Sequence, residues 1–378
     1  MTNGGSEEPS VLLLVASSRR RGAEVFGETL AQGLSNAGWR VSFASLAGAD
    51  GGPVVSATPL SDETPDSLSR LDRSVVAAVR KEVRSARPDI VLANGSSTMQ
   101  YVVAAVRHWR DRPRLVYVSI GEPMWWVRNV RHRLLRTAIL KGVDRVFSVS
   151  AATAQQLIDH LGVPKSKVRI APTGVPERFF ALGADAEDGR PAGEADGPVP
   201  LRVLFIGNLS TEKGPMEALA VLSEAAVRRP IAARFLGDGP VRGELERAVA
   251  AGPLAACVEV LGSVADVAPH IAWADVLLQT SQTEGLPGVP LEAGAGGVAC
   301  VVFDVGGSRE TVIDGETGFV VAPGDVASAA ETLVALADDP PLVAKMGAAA
   351  RAYVRSNFTL DAAVRRYIEL LTDELPAR

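Results

Sequence analysis

Short apolar runs alternate with longer amphipathic segments along most of the chain. In the first half, this pattern predicts buried strands at residues 11–16, 40–45, 90–93, 115–118, 145–149 and 167–171. Helices are predicted between them, including residues 24–36, where Phe26, Leu30 and Leu34 repeat four apart, and residues 71–85. An alternation of strands and helices is typical of α/β folds with a parallel sheet.

The alternation of predicted strands and helices stops at residues 183–200, which are rich in Gly, Ala, Pro and acids and contain no large apolar residue before Val199. This composition predicts a linker. Beyond it, strands are predicted at residues 202–206, 233–236, 276–278, 298–302 and 318–320. Helices are predicted at residues 216–228, 326–338, 341–356 and 360–371.

Two similar halves joined by one linker predict two Rossmann-like domains. We expect a first domain over residues 1–180, a linker over 181–200 and a second domain over 201–356. The C-terminal helix, within residues 357–378, is predicted to pack back on the first domain. Since parallel sheets bind ligands at the carboxyl ends of their strands, a ligand is expected in the cleft between the two halves.

Composition narrows the class of protein. With 378 residues, 47% hydrophobic and 22% charged, the chain is typical of a globular protein of two domains. Its net charge of −5 does not show the excess of basic residues that is typical of nucleic-acid-binding proteins. The two cysteines, Cys257 and Cys300, form no disulfide framework and no metal-ligand spacing, and no apolar run reaches spanning length, so a cytoplasmic location is predicted.

The strongest chemical signal is the segment of residues 283–293, Thr-Glu-Gly-Leu-Pro-Gly-Val-Pro-Leu-Glu-Ala. Pro290 is predicted at the first position of a helix, where its missing N–H costs nothing. The free amides around Gly288 then form an anion site suited to a diphosphate. Glu284 in the loop and Glu292 about one turn inside the helix are placed to accept hydrogen bonds from hydroxyl groups of one extended ligand. The alternative is a loop charge and an acid that complements the helix dipole.

This segment resembles the signature of the retaining GT-B glycosyltransferases of family 4. The likeness spans nearly the whole chain and is most specific over residues 201–320. It is also carried by residues 21–24, 170–175, 207–214, 237–240, 303–310 and 314–319. The resemblance implies a GT-B fold and transfer of a sugar from a nucleotide-diphosphate donor, UDP- or GDP-linked, to an acceptor hydroxyl with retention of configuration. No metal site is visible in the sequence, and no cofactor besides the nucleotide-sugar donor is expected.

By position, the resemblance implies that Glu292 binds the nucleotide ribose, that Glu284 contacts the transferred sugar and that Lys213 contacts the diphosphate. A fixed cation would stabilise the charge that develops on the leaving nucleoside diphosphate. Lys213 as a solvated loop lysine and Gly22 as a plain turn glycine are the simpler alternatives. The predicted donor site comprises Gly22, Gly207, Asn208, Lys213, Gly262, Val264, Glu284, Gly285, Leu286, Gly288, Val289 and Glu292.

Two positions depart from the family pattern. Asn208 stands where members of the family usually carry an arginine, and an amide brings no charge to a phosphate. After the fourth predicted strand the chain reads Ser-Ile-Gly-Glu-Pro, without the histidine that many members have there. Glu122 in this loop is a candidate to orient or deprotonate the acceptor, or else a turn acid before Pro123.

A stretch rich in tryptophan and arginine follows, with Trp125, Trp126 and Arg128 as candidate acceptor contacts. It is interpreted as an acceptor platform, as a patch that docks on anionic lipid, or as a solvated helix face whose tryptophans fill a core edge. The acceptor itself, whether glycan, lipid or small metabolite, stays open.

Other functions are weaker matches. A sugar-nucleotide epimerase does not explain the loop with Glu284 and Glu292. A dehydrogenase requires a Gly-x-Gly-x-x-Gly turn after the first strand, and residues 17–22 do not contain one. A catalytically inert protein that binds sugar nucleotides is the alternative from another functional class.

Overall fold

The computed structural model describes residues 8–19, 22–49, 54–63, 71–125, 127, 129–183 and 199–376. The chain divides into two compact units. Unit 1 comprises the residues up to Gly174 together with those from Asp361 onward, and unit 2 comprises Val175–Leu360. The predicted linker falls largely on residues 184–198, which lie outside the described residues.

Unit 1 contains a seven-stranded sheet in the order β3-β2-β1-β4-β5-β6-β7, and every pairing in it is parallel. Its strands are β1 Ser10–Ser17, β2 Arg40–Ala47, β3 Thr58–Pro59, β4 Ile90–Asn94, β5 Arg114–Ser119, β6 Arg145–Ser148 and β7 Val168–Ile170. Its helices are α1 Gly22–Asn36, α2 Arg73–Ala86, α3 Ser96–Val106, α4 Val130–Lys141 and α5 Ala151–Asp159.

The central strand β1 explains why this sheet forms. Leu12, Leu13 and Leu14 are fully buried, so both faces of the strand are covered. A continuous apolar run rather than an alternating one is expected of a parallel strand with helices on both sides.

The last helix, α13 (Leu360–Thr372), packs in unit 1 from Asp361 onward. The ring of Tyr367 lies edge-on to Phe26 and Phe147, with centroids at 5.2 and 5.7 Å, and its hydroxyl donates to the carbonyl of Ala171 at 3.0 Å. This buried aromatic cluster ties α13 to the first sheet.

Unit 2 contains a six-stranded parallel sheet in the order β10-β9-β8-β11-β12-β13. Its strands are β8 Leu201–Ile206, β9 Ile231–Leu236, β10 Val258–Gly262, β11 Val276–Gln279, β12 Ala299–Phe303 and β13 Gly318–Val321. Its helices are α6 Glu177–Phe180, α7 Pro215–Ala226, α8 Arg242–Ala251, α9 Ala268–Trp273, α10 Gly288–Ala295, α11 Val326–Asp338 and α12 Pro340–Asn357.

Each sheet reverses its strand order at one place. The reversal lies between β1 and β4 in unit 1 and between β8 and β11 in unit 2. In parallel α/β sheets such a switch point leaves a crevice outside the carboxyl ends of the strands, where ligands bind. The two parallel sheets confirm the α/β prediction of two Rossmann-like halves, and the switch points direct attention to the loops that follow β8 and β11.

Within the described residues, no helix is both long and apolar enough to cross a lipid bilayer.

Candidate functional site

Lys213 and Glu284 flank the switch point of unit 2. Lys213 lies at the end of a short 3-10 turn, Thr211–Lys213, after β8, and Glu284 lies in the loop after β11. Although they are 71 residues apart in the chain, the Lys213 Nζ atom lies 2.6 Å from Glu284 Oε1. The fold therefore brings together a cation and a carboxylate at the place where this type of sheet binds ligands.

The carboxylate of Glu284 is held by three donors on a single oxygen. Besides Lys213, the hydroxyl of Ser281 donates to Oε1 at 2.7 Å and the amide of Gln279 donates to it at 3.1 Å. No described hydrogen bond involves Oε2. Glu284 is thus fixed in orientation with one oxygen still available to a ligand.

The turn that carries Lys213 is anchored to the end of β11. Gly214 has a φ of +66°, and the hydroxyl of Thr280 donates to its carbonyl at 2.6 Å. A Cβ atom on Gly214 would approach the Thr280 carbonyl oxygen to 2.2 Å. Only glycine fits this close backbone contact, which sets the distance between the loops of Lys213 and Glu284.

A second glycine supports Glu284 from the loop after β12. Gly306 has a φ of +49°, and a Cβ atom there would lie 1.7 Å from the backbone carbonyl oxygen of Glu284. Gly306 of the Gly-Gly motif therefore has a packing role against the loop of Glu284.

Helix α10 begins at Gly288, two residues before the position predicted from Pro290. Pro290 is the third helical residue and still lies within the first turn, where a missing N–H breaks no helical hydrogen bond. Since Pro287 and Pro290 have no N–H, the free donors of this turn are those of Gly288, which is exposed, and Val289, which is half-buried.

The start of α10 has neither a side-chain cap nor an acid in its first turn. Its partial positive charge is therefore not compensated by the helix's own residues and is open to an anion. The loop before it is buried at Gly285 and Leu286, so the exposed part is confined to the beginning of the helix.

Glu292, on the second turn of α10, is in a different environment from Glu284. Burial raises the pKa of its carboxyl to about 7, a shift that the positive charge of Arg178 partly opposes. Among the described residues, no side chain or backbone group forms a hydrogen bond with this carboxyl group. The hydroxyl groups of a ligand could donate the hydrogen bonds that this half-buried carboxyl group lacks.

The remaining predicted donor residues of unit 2 lie at the same carboxyl edge of its sheet. Gly207 and the exposed Asn208 follow β8, while Gly262, with a φ of +70°, ends β10 and is followed by the half-buried Val264. The strands β10, β9, β8 and β11 are consecutive neighbours, so β10 and β11 lie about 14 Å apart. This edge is long enough for an extended ligand.

The predicted residues Gly22 and Glu122 belong to unit 1. Gly22 is the exposed first residue of α1, with no atom within 4 Å of where a Cβ would be. Glu122 follows β5, and the amide of Gln156 donates to its Oε1 at 2.6 Å, while the same Gln156 accepts the backbone N–H of Met124 at 3.3 Å. The loop of Glu122 is therefore fastened to α5.

Of the three acceptor candidates, the structure describes Trp125, which is exposed. Trp126 and Arg128 lie outside the described residues. Helix α4 follows this stretch and carries exposed apolar and basic side chains.

Three residues near the site were missed by sequence reasoning. Gln279 and Ser281 hold Glu284, and Arg178 contributes positive charge near Glu292. The signal for the first two was present, because polar residues follow the apolar run of β11 directly. Arg178 comes from α6, far from the motif in sequence, and has no such signal.

Among the described residues, no group of three or more His, Cys, Asp and Glu side chains is placed to hold a metal ion.

Comparison with known proteins bears on the family and the fold of the chain. Residues 20–179 match the profile of the family described as "Glycosyltransferase Family 4", and residues 200–339 match that of "Glycosyl transferases group 1". A 2-deoxystreptamine glucosyltransferase from Streptomyces kanamyceticus is 31% identical over 245 residues, which cover 61% of this chain and 62% of that enzyme. The chain therefore spans less than two thirds of the length of this relative.

A second relative is covered more completely. The GDP-mannose-dependent alpha-(1-6)-phosphatidylinositol monomannoside mannosyltransferase from Mycolicibacterium smegmatis is 32% identical over 277 residues, which cover 70% of this chain and 72% of that enzyme. Among solved structures, sucrose-phosphate synthase from Thermosynechococcus elongatus matches the fold with a TM-score of 0.80 at 20% identity, covering 97% of this chain and 99% of that one. The chain belongs to the glycosyltransferases with the GT-B fold.

Proposed function

We propose that the protein transfers a hexose from a nucleotide-diphosphate sugar to an acceptor hydroxyl. The observation that carries this proposal is the Lys213–Glu284 pair at the switch point of unit 2, beside the uncapped start of α10. A cation, a fixed carboxylate and a helix N-terminus together match the charge and hydroxyl pattern of a sugar diphosphate.

The donor is proposed to bind with its diphosphate at Lys213 and at the amides of Gly288 and Val289. Glu292, whose carboxyl group has no donor among the residues that the structure describes, would accept hydrogen bonds from the ribose hydroxyls. Glu284 would contact the transferred sugar through Oε2, since Oε1 is occupied by protein donors. The base, of a UDP- or GDP-linked donor, would extend toward Gly262 and Val264.

The transfer step breaks the bond between the anomeric carbon and the diphosphate oxygen and forms a bond from that carbon to the acceptor oxygen. The acceptor proton passes to the leaving phosphate, and the product is a nucleoside diphosphate. Lys213 and the α10 amides would stabilise the negative charge on the leaving group. We assign the protein to family 4 and to the retaining mechanism on the resemblance of residues 284–293.

Metal independence is part of this proposal. Lys213 and the helix amides would supply the positive charge for which a metal is otherwise used. Asn208 lies exposed near the same edge and adds a hydrogen-bonding amide rather than a second charge. Diphosphate affinity would therefore depend mainly on Lys213 and α10.

On the acceptor side, Glu122 is proposed to orient the acceptor hydroxyl or, in place of the leaving phosphate, to take its proton, and Trp125 is proposed to contact the acceptor. The fastening of the Glu122 loop by Gln156 would keep the carboxyl in place. We also propose that the protein acts at the cytoplasmic side and makes peripheral contact with a membrane.

One experiment distinguishes this enzyme from the alternative, a sugar-nucleotide-binding protein without activity. Purified protein is incubated with UDP- and GDP-sugars in the presence and absence of a panel of glycan, lipid and small-molecule acceptors, and released nucleoside diphosphate is measured. Acceptor-dependent release supports the enzyme. Saturable donor binding, with no more nucleoside diphosphate released than by the Lys213→Ala protein, supports the sugar-nucleotide-binding protein without activity.

A further inference from the structure

Helix α4 of unit 1 turns apolar side chains outward. Val130, Leu134 and Leu135 expose 64%, 62% and 60% of their surface, and Trp125 just before them exposes 38%. These four are among only eleven large apolar residues that are exposed in the described part of the chain. Such a concentration within eleven consecutive residues is unusual for a surface that faces only water.

The C-terminal half of α4 is fixed to unit 1 by packing and by a hydrogen bond. Leu140 is buried, and the hydroxyl of Thr137 donates to the carbonyl of Leu161 at 3.2 Å. At the beginning of the helix, Asn129 accepts the backbone N–H of His132 at 2.9 Å. Val130 and Leu134 are four residues apart and share one face. The helix is therefore anchored through its C-terminal half, while residues 130–135 of its N-terminal half are all exposed and present Val130, Leu134 and Leu135 to the surroundings.

The same helix is strongly basic. Residues 123–143 contain four arginines and one lysine and no acid, in a chain whose net charge is −5. Arg131, Arg133 and Lys141 are exposed, and no carboxylate of the described residues pairs with them. An acidic protein that gathers unpaired positive charge around an apolar face will orient that face toward a negative surface.

We propose that this surface, hereafter the α4 face (Val130, Leu134 and Leu135 with Arg131, Arg133 and Lys141), docks on an anionic lipid bilayer. Leucine and valine would enter the boundary between headgroups and acyl chains while the basic side chains pair with lipid phosphates. With twelve residues, α4 is about 18 Å long and suits a helix lying in the plane of the interface.

The α4 face has a consequence for the acceptor, and here the inference rests on the proposed function. Glu122 precedes α4 on the same β5–α4 connection and is bonded through its carbonyl to the N–H of Trp125 at 3.3 Å. Docking through α4 would bring this loop to the headgroup region. The acceptor class that fits is an amphiphile with a free hydroxyl in its headgroup.

The test is sedimentation of the full chain with vesicles of phosphatidylcholine alone and of phosphatidylcholine with 30% phosphatidylglycerol. Binding is expected to the anionic vesicles only, and to weaken severalfold or more when salt is raised from about 0.1 M to 1 M, since the Debye length falls to about 3 Å. Leu134→Ser with Leu135→Ser should lower the partition coefficient at least about tenfold. Arg131→Ser with Arg133→Ser should lower it about 30-fold.

Matched controls use equally exposed side chains elsewhere. Val227→Ser removes an apolar residue that is 85% exposed in unit 2, and Arg365→Ser removes an exposed arginine of α13. Both should bind vesicles like the wild type. All positions changed are on the surface, so circular dichroism and melting temperature should be unchanged in every variant.

Absence of binding to the anionic vesicles, or binding that the α4 variants do not weaken, overturns the inference. A dimer that the leucine variants dissociate, with no vesicle binding, would assign the α4 face to a second copy of this chain and also overturn it. Donor binding measured in parallel separates the two proposals. If vesicle binding is absent while nucleotide binding still depends on Glu292, the membrane inference fails alone. If the vesicles are bound as expected but nucleotide binding does not depend on Glu292, the proposed function fails alone.

Discussion

Two glutamates of one motif, eight positions apart, occupy contrasting environments. Glu284 receives three hydrogen bonds on one oxygen, from Lys213, Ser281 and Gln279, before any ligand is present. Glu292 is half-buried, has no hydrogen-bond donor among the described residues, and has a pKa raised to about 7.

The difference suggests two ways of preparing a carboxylate for a ligand. The protein has already satisfied and oriented Glu284, so that a sugar meets a rigid partner with one oxygen available. Glu292 is left desolvated, so that its burial is compensated only when hydroxyl groups arrive. We therefore expect Glu284 to affect mainly the rate of transfer and Glu292 to affect mainly nucleotide affinity, pH dependence and stability.

The largest expected effect is that of Glu284→Ala on catalysis. Removing the carboxylate loses the sugar contact and leaves Lys213 without the partner that positions it, so kcat should fall roughly 10²- to 10³-fold. The affinity for the free nucleoside diphosphate should change far less, because Lys213 keeps its charge and the α10 amides stay in place. Steady-state transfer kinetics and calorimetric titration measure the two quantities, with Glu316→Ala, an exposed acid of the same unit, as control. A kcat within twofold of the wild type would refute the role assigned to Glu284.

Glu292→Gln should stabilise the free protein in a pH-dependent way. The raised folded-state pKa means that the wild type has its full stability below about pH 4.5 and loses it as the pH rises toward 7, because the unfolded chain releases this proton first. The stability advantage of the variant should therefore grow by about 3 kcal/mol between about pH 4 and pH 8, at about 1.4 kcal/mol per pKa unit. Urea unfolding at the two pH values measures it. An advantage independent of pH would mean that Glu292 is not desolvated.

Donor affinity should depend on pH through the same carboxyl. Hydrogen bonds from ribose hydroxyls favour the ionised acid, so binding should lower its pKa and affinity should rise roughly tenfold from about pH 6 to pH 7.5, then level off. Titration with an intact nucleotide sugar, whose diphosphate does not ionise further in this range, measures the rise. Glu292→Gln should abolish it, and a rise that persists in this variant would assign the titration to another group.

The smallest effect concerns the support of Glu284. Ser281→Ala removes one of its three donors, and kcat should fall roughly fivefold, in line with the modest net value of one hydrogen bond to a charged group. Nucleotide affinity should be unchanged. Ser223→Ala, which removes a serine hydroxyl bonded within α7, serves as control and should transfer sugar at the wild-type rate. An equal loss in both variants would indicate a general effect on the fold.

Much of the fold could be predicted because buried parallel strands appear as short apolar runs. Strand β1 was expected at residues 11–16 and spans Ser10–Ser17, and α11 begins and ends as expected at Val326 and Asp338. Helix α3 was not predicted, because its apolar residues have no clear helical periodicity and its start has no side-chain cap. Strand β10 was not predicted, since only Val258 and Gly262 of it are buried.

The motif of the candidate site was visible in the sequence, but its contacts were not. The spacing of Glu284 and Glu292 predicted one acid in the loop and one in the helix. The 71-residue separation of Lys213 from Glu284, and the approach of Gly306 to the Glu284 carbonyl, depend on how β8, β11 and β12 lie side by side. Local patterns contain no such information. The start of α10 was misplaced by two residues, because a proline is tolerated at several positions of a first turn.

Calorimetric titration of UDP and GDP into wild-type and Glu292→Ala protein tests the central claim most directly. If Glu292 accepts the ribose hydroxyls, one of the two nucleotides binds the wild type and its Kd rises roughly 10- to 100-fold in the variant, while Glu316→Ala leaves it unchanged. A variant that binds the nucleotide as tightly as the wild type would contradict the account.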